Sequence, residues 1–184
     1  MNTMQPIITE RLKLRPFERT DDEEAAFAFF SDPEVMRFSL NGPHSSRKPT
    51  EDFIVTNINR QDRQGYSIWA VVEQETGTVI GMCGLAEFGH GVPGIELAYR
   101  LRCDRWGQGY ASEAARGAIE YSFTESKLER LIAAVEPANI ASVHVLEKIG
   151  FVRVSRRTVA GKDAFLLELT RDDWLSSQIS DQRS

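Results

Sequence analysis

Residues 104–123, DRWGQGYASEAARGAIEYSF, place two glycines directly in front of a helical pattern. Glycine is a poor helix former, so Gly107 and Gly109 need a reason other than helix propensity. The first N–H groups of a helix lack intrahelical partners, and the helix dipole makes that end electropositive. A phosphate or pyrophosphate can bind there when no side chain blocks its approach. The alternative is a tight turn between a strand and the helix. The P-loop and the three-glycine dinucleotide motif are both excluded, because their remaining residues are missing.

Composition limits the class of protein. The chain has 184 residues, 41% hydrophobic and 27% charged, which predicts one globular domain over residues 1–184. A net charge of −5 argues against general nucleic-acid binding. Cys83 and Cys103 have neither metal-ligand nor disulfide spacing. No apolar run is long enough for a membrane span and the N-terminus does not resemble a signal peptide, so we expect a cytoplasmic protein without a membrane partner.

Hydrophobic periodicity predicts an α/β fold around a mostly antiparallel sheet, with one strand–helix–strand crossover in the second half. The predicted order is strand, two helices, three or four strands, helix, strand, helix and two strands. Leu12, Leu14 and Phe17 point inward from the first strand, and Gly77 turns a hairpin between strands near 66–74 and 78–88. After the last strand we expect only a short turn and a frayed tail over 176–184.

Four segments together carry a family resemblance. Residues 95–123, IELAYRLRCDRWGQGYASEAARGAIEYSF, resemble the central motif of the GCN5-related N-acetyltransferase (GNAT) family, in its RimJ/RimL-like ribosomal-protein branch. The family loop is Q/R-x-x-G-x-G/A, and Asp104 stands at its Q/R position. Residues 137–151, PANIASVHVLEKIGF, are similar to the second motif, and TERLKLRPF (9–17) and LTRDDWL (169–175) resemble the branch's opening and closing segments.

The resemblance covers about residues 8–175, which we expect to form the core of the domain. It implies the GNAT fold, with helices flanking a mixed sheet whose strands splay apart at Leu97 and Ala133. It also implies acetyl-CoA as cosubstrate, no metal, and an amine acceptor that is a peptide N-terminus or a small amine. A homodimer is an open expectation. The pyrophosphate-binding residues it implies are Trp106, Gly107, Gln108, Gly109, Tyr110 and Ala111. Leu101, Arg102 and Cys103 would hold the pantetheine arm, and Asn139 would contact the pantetheine amide or simply cap its helix.

Acetyl transfer to an amine needs a base for the amine, a donor for the carbonyl oxygen and a proton for the departing thiolate. In the family motif, Glu96 is the first candidate base and Glu87 is the second. The alternative for Glu96 is a surface carboxylate in a charge pair between strands. The oxygen would be bound by a backbone N–H of a bulged strand near Tyr99 or Arg100. Many relatives use a tyrosine acid where this chain has Leu146, so Ser142 is the candidate acid.

The expected reaction is direct attack in a ternary complex, since neither cysteine has a histidine positioned to support a covalent route. His44 and His90 lie in loops that could border the acceptor site. Three functional readings remain: N-acetylation of a protein N-terminus, acetylation of a small amine such as a polyamine, amino acid or antibiotic, and CoA sensing without catalysis. A phosphate-binding module unrelated to CoA is a further alternative.

Overall fold

The computed structural model describes residues 4–89 and 91–181, the last two by backbone alone. Its elements follow the chain in this order: β1 Ile7–Ile8, β2 Leu12–Arg15, α1 Glu23–Phe30, α2 Arg47–Gln64, β3 Ile68–Glu73, β4 Val79–Glu87, β5 Ile95–Leu101, α3 Tyr110–Thr124, β6 Arg130–Val135, α4 Ile140–Lys148, β7 Val152–Val159, β8 Lys162–Thr170 and α5 Arg171–Asp181.

The eight strands form one sheet in the order β1-β2-β3-β4-β5-β6-β8-β7. Neighbouring strands are antiparallel except β5 and β6, which α3 connects as a parallel crossover. This confirms the predicted α/β class, the mostly antiparallel sheet and the single crossover. Parallel strands need such a connection because a tight hairpin can join only antiparallel ones.

Apolar side chains cover both faces of the sheet. On one face, Leu97 and Leu101 of β5 pack in a cluster that includes α3 and α4. On the other face, Ala98 borders a second cluster that contains Phe29, Ile54 and residues from α1 and α2. Successive strand residues point to opposite faces, so the alternation of β5 decides which side chains meet which helices.

Two elements differ from the sequence-based predictions. Strand β1 was not expected; it adds two residues to the sheet edge beside β2. The expected terminal turn is wrong, because α5 continues from β8 through Asp181. The Thr170 hydroxyl accepts a hydrogen bond from the backbone N–H of Asp173, which caps the helix start. Trp174 then packs against Phe123, with ring centroids 5.5 Å apart.

The predicted bulge in β5 is also absent from the described structure, since β5 pairs with β4 over Ile95–Leu101 without a register shift. His90 lies outside the described residues. No helix in residues 4–89 or 91–181 combines the length and apolar character that crossing a membrane requires.

Candidate functional site

A cavity of about 880 Å³ occupies the gap that opens between β5 and β6. The two strands pair only at Ile95 with Leu131 and at Glu96 with Ile132, after which no pairing continues. Beyond that point both strands line the cavity, together with the starts of α3 and α4 and the segment 34–41. The strands therefore diverge next to Leu97 and Ala133, where the family resemblance implied a splay.

Backbone groups of β5 face this gap. The N–H of Arg102 donates to the Ile80 carbonyl of β4 at 2.9 Å. Because bonding direction alternates along an antiparallel strand, the backbone groups of Leu97, Tyr99 and Leu101 point the other way, toward β6. The Leu101 carbonyl accepts a 2.8 Å hydrogen bond from the indole of Trp106.

The start of α3 offers unpaired backbone donors to the cavity. Gly107 and Gly109 adopt left-handed conformations, with φ of 70° and 83°, which side chains other than glycine rarely adopt. Across the described residues, no protein acceptor bonds the backbone N–H groups of residues 107–112. Gly109 is the N-cap and supplies no side-chain cap. An anion with several acceptor oxygens, such as a pyrophosphate, fits these donors.

The nearby arginines do not supply free charge at this loop. Arg102 forms a salt bridge with Asp104 at 2.9 Å, and Arg105 bonds Glu73 at 3.1 Å. The anion site therefore depends chiefly on backbone N–H groups and the helix dipole.

The residues proposed to bind the cofactor fall into two groups. Those that line the cavity are Leu101, Trp106, Gly107, Gly109, Tyr110, Ala111 and Asn139. Three side chains are engaged elsewhere: Arg102 with Asp104, Gln108 with the Asp104 carbonyl, and Cys103 with Asp32. None of these three residues lines the cavity, and the Arg102 N–H already donates to the Ile80 carbonyl.

Glu96 lines the cavity where the strands separate. Burial raises the pKa of its carboxyl group from 4.5 to about 7, while a backbone hydrogen bond from Ala134 and the charge of Arg100 oppose that rise. A carboxyl group with a pKa near neutrality can take a proton from an amine and release it again. Glu87 is exposed, bonded to Gln64, and does not line the cavity.

The start of α4 forms the wall opposite β5. The Asn139 side chain accepts a hydrogen bond from the Ser142 N–H at 3.3 Å, which confirms the predicted N-cap. The Ser142 and Tyr99 hydroxyl groups share a 2.8 Å hydrogen bond, and the Tyr99 hydroxyl also contacts the Ser142 carbonyl at 3.2 Å. Burial raises the pKa of Tyr99, so the phenol keeps its proton.

The sequence pointed to the backbone N–H groups of Tyr99 and Arg100, whereas a functional role for their side chains is indicated only by the structure. Strand alternation predicts their faces correctly, but the contact between Tyr99 and Ser142 joins residues 43 positions apart. His44 bonds Thr50 at 2.8 Å and stacks on Phe30, and burial followed by the Arg100 charge lowers the pKa of its imidazole. Within the described residues, no three His, Cys, Asp or Glu side chains are grouped to hold a metal ion.

A mostly antiparallel sheet that opens between one parallel pair of strands, next to a helix start with free N–H groups, is the architecture of an acyl-CoA-dependent N-acetyltransferase. Comparison with known proteins agrees: residues 11–152 match the model of the acetyltransferase (GNAT) domain, and the chain belongs to the GNAT family. It is an N-acetyltransferase that uses acetyl-CoA.

The relatives differ in what is known of their acceptors. The chain is 34% identical to an uncharacterized N-acetyltransferase, p20, from Bacillus licheniformis over 80% of this chain and 83% of that protein. It is 29% identical to the spermidine N(1)-acetyltransferase of Escherichia coli K12 over 76% of this chain and 72% of that protein. A GNAT-family acetyltransferase structure from Bacillus anthracis superposes with a TM-score of 0.79 at 27% identity, covering 91% of this chain and 99% of that chain.

Proposed function

We propose that this enzyme transfers an acetyl group from acetyl-CoA to a primary amine by direct attack in a ternary complex, with Glu96 as the general base. The observation that carries this proposal is the position of Glu96: a partly buried carboxyl group with a pKa of about 7, in the cavity between β5 and β6. An acid–base group is most effective when its pKa lies near the working pH.

In the proposed complex, the pyrophosphate of acetyl-CoA lies on the N–H groups of residues 107–112 at the start of α3. The pantetheine arm extends along β5, where the outward backbone groups of Leu97, Tyr99 and Leu101 can pair with it as a strand would. Trp106 holds the Leu101 carbonyl, so it orients the mouth of this channel. Asn139 fixes the first turn of α4 on the opposite side.

Three groups then share the chemistry. Glu96 accepts the proton of the attacking amine, directly or through water. The Tyr99 N–H, which faces the gap, donates to the carbonyl oxygen as negative charge develops on it. The Ser142 hydroxyl, hydrogen-bonded to the Tyr99 phenol, donates to the departing thiolate. A thiol with a pKa of about 8.5 is already a fair leaving group, so a hydrogen bond is sufficient help.

The acceptor is a primary amine for which we consider two forms. The RimJ/RimL-like motifs favour a protein N-terminal amine, whereas the relationship to a spermidine N(1)-acetyltransferase favours a small amine. We also keep a cytoplasmic location and a homodimer as proposals; the two cysteines, neither in a disulfide, are compatible with a reducing compartment.

The test is mass spectrometry of two amine pools incubated with acetyl-CoA and the purified protein. One pool contains peptides with free N-termini and the other contains polyamines, amino acids and other small amines. A gain of one acetyl group in either pool supports the enzyme, and the pool identifies the acceptor class. Binding of acetyl-CoA without any acetylated product would instead favour the non-catalytic CoA sensor.

A further inference from the structure

Arg100 lines the cavity, and no acidic side chain among the described residues lies within salt-bridge distance of its guanidinium. Within residues 4–89 and 91–181, its guanidinium forms neither a hydrogen bond nor a salt bridge. Two other cations of the cavity wall are neutralised, Arg105 by Glu73 and Lys162 by Glu136. Arginine is the side chain best shaped for a bidentate bond to a carboxylate, and removing its charge from water without a partner is costly.

The position of Arg100 in the strand separates it from the proposed phosphate site. Arg100 pairs with Met82 across β4 and β5, and Met82 belongs to the apolar cluster beneath α1 and α2. The start of α3 belongs to the opposite face, where Tyr110 and Ala111 pack against the other cluster. The guanidinium therefore faces the side of the sheet on which α1 and α2 lie.

Arg100 and Glu96 share this face of β5. Four residues of strand separate their Cα atoms by about 13 Å, and both side chains extend into one cavity, where they interact electrostatically. The cavity wall also includes the apolar side chains of Val35 and Met82 and the charged side chains of Glu34 and Arg37. The cavity as a whole is lined by five basic and three acidic side chains, although the protein carries a net charge of −5.

We propose that the acceptor is a primary amine that also carries a carboxylate, which Arg100 binds while Glu96 receives the proton of the amine. This inference rests on the proposed function and names its substrate class. The carboxylate can belong to a free amino acid or to a short peptide. A polycation such as spermidine is disfavoured, because its additional ammonium groups would lie against an unneutralised guanidinium.

The experiment compares matched acceptors that differ only in the carboxylate. Amino acids are assayed beside their carboxamides, and tripeptides with free C-termini beside amidated ones, with spermidine as a third arm. Release of CoA is followed for the wild-type protein, Arg100→Gln, Arg100→Lys and the control Arg37→Gln. Arg37 is an exposed cation at the cavity rim that contacts the Phe38 ring, so its loss tests general charge.

A hydrogen bond to a charged group contributes enough binding energy that wild-type kcat/KM should favour the acceptor with a carboxylate over its carboxamide by about 10- to 100-fold. Arg100→Gln should bring that ratio close to one, mainly through KM, with acetyl-CoA affinity unchanged. Arg100→Lys should keep part of the preference and Arg37→Gln all of it. Whether amino acids or tripeptides give the preference identifies the source of the carboxylate.

Three results would overturn the inference while leaving the acetyltransferase intact. They are equal use of acids and carboxamides by the wild-type protein, spermidine as the best acceptor, or a matching loss of acetyl-CoA affinity in Arg100→Gln. The last would assign Arg100 to the cofactor. If no amine in any arm is acetylated although acetyl-CoA binds, the proposed function itself fails and the inference with it.

Discussion

Replacing Glu96 by glutamine tests the proposed base through the pH dependence of the rate. A carboxyl group with a pKa of about 7 is only about 10% ionised at pH 6 and about 90% ionised at pH 8. The base is active when ionised, so wild-type kcat should rise about ninefold over this range and level off above it. A carboxyl group with its ordinary pKa of 4.5 would be ionised throughout and would give no such rise.

The amine also loses a proton in the alkaline range, so the assay uses two acceptors whose amine pKa values differ. An inflection near pH 7 that both acceptors share belongs to the enzyme. Glu96→Gln should remove this inflection and lower kcat by about 100-fold or more, the usual contribution of general base catalysis. Acetyl-CoA affinity, measured by calorimetry, should be retained.

Glu87→Gln is the matched control, since Glu87 lies on the adjacent strand, is exposed and does not line the cavity. It should keep both the wild-type rate and the wild-type profile. Either of two results would refute the assignment of Glu96 as the base. One is a wild-type kcat that does not change between pH 6 and 8, and the other is a kcat of Glu96→Gln within tenfold of the wild-type value.

Three further predictions concern the glycine loop, the hydroxyl pair and stability. Gly109→Ala forces a side chain into a left-handed conformation, so it should lower the free energy of unfolding by about 1–2 kcal/mol and weaken acetyl-CoA binding. Gly77→Ala in the β3–β4 turn should cost the same stability without affecting acetyl-CoA binding. Denaturation measures the stability of each variant, and calorimetry measures its affinity for acetyl-CoA. Ser142→Ala and Tyr99→Phe should each lower kcat by up to about tenfold at constant acetyl-CoA affinity, because one neutral hydrogen bond is worth about 1 kcal/mol; a loss of affinity instead would make them binding groups. The raised pKa of Glu96 means that the folded state binds its proton more tightly than the unfolded state does, so wild-type stability should fall by up to about 3 kcal/mol between pH 4 and pH 8, and urea denaturation of Glu96→Gln should lack that loss.

Local sequence signals were sufficient to predict the glycine loop before α3 and the start of α4. Glycine is the residue that most readily adopts a left-handed φ, as Gly107 and Gly109 do, and asparagine is among the residues preferred at a helix N-cap, as at Asn139. The alternation of residues along β5 predicts opposite faces for Leu97 and Ala98, which pack in two different apolar clusters. These features depend on residues that are close in sequence, so they can be predicted without tertiary information.

Other features depend on packing between distant segments. No local pattern indicates that the Tyr99 phenol reaches Ser142, or that the Arg100 guanidinium forms no salt bridge within the described residues, because both statements concern which elements surround β5. Helix α5 is an intermediate case. Thr170 and Asp173 have capping-box spacing, a signal that was available in the sequence, but the docking of Trp174 on Phe123 was not.

The most direct test of the account is a crystal structure of the protein with acetyl-CoA. Pyrophosphate oxygens should lie within about 2.7–3.2 Å of backbone nitrogens between residues 107 and 112. The pantetheine should lie between β5 and β6, with the acetyl group next to Glu96 and Tyr99. A cofactor bound outside this gap, or a thioester whose carbonyl carbon is too far from Glu96 for even one bridging water, would contradict the account.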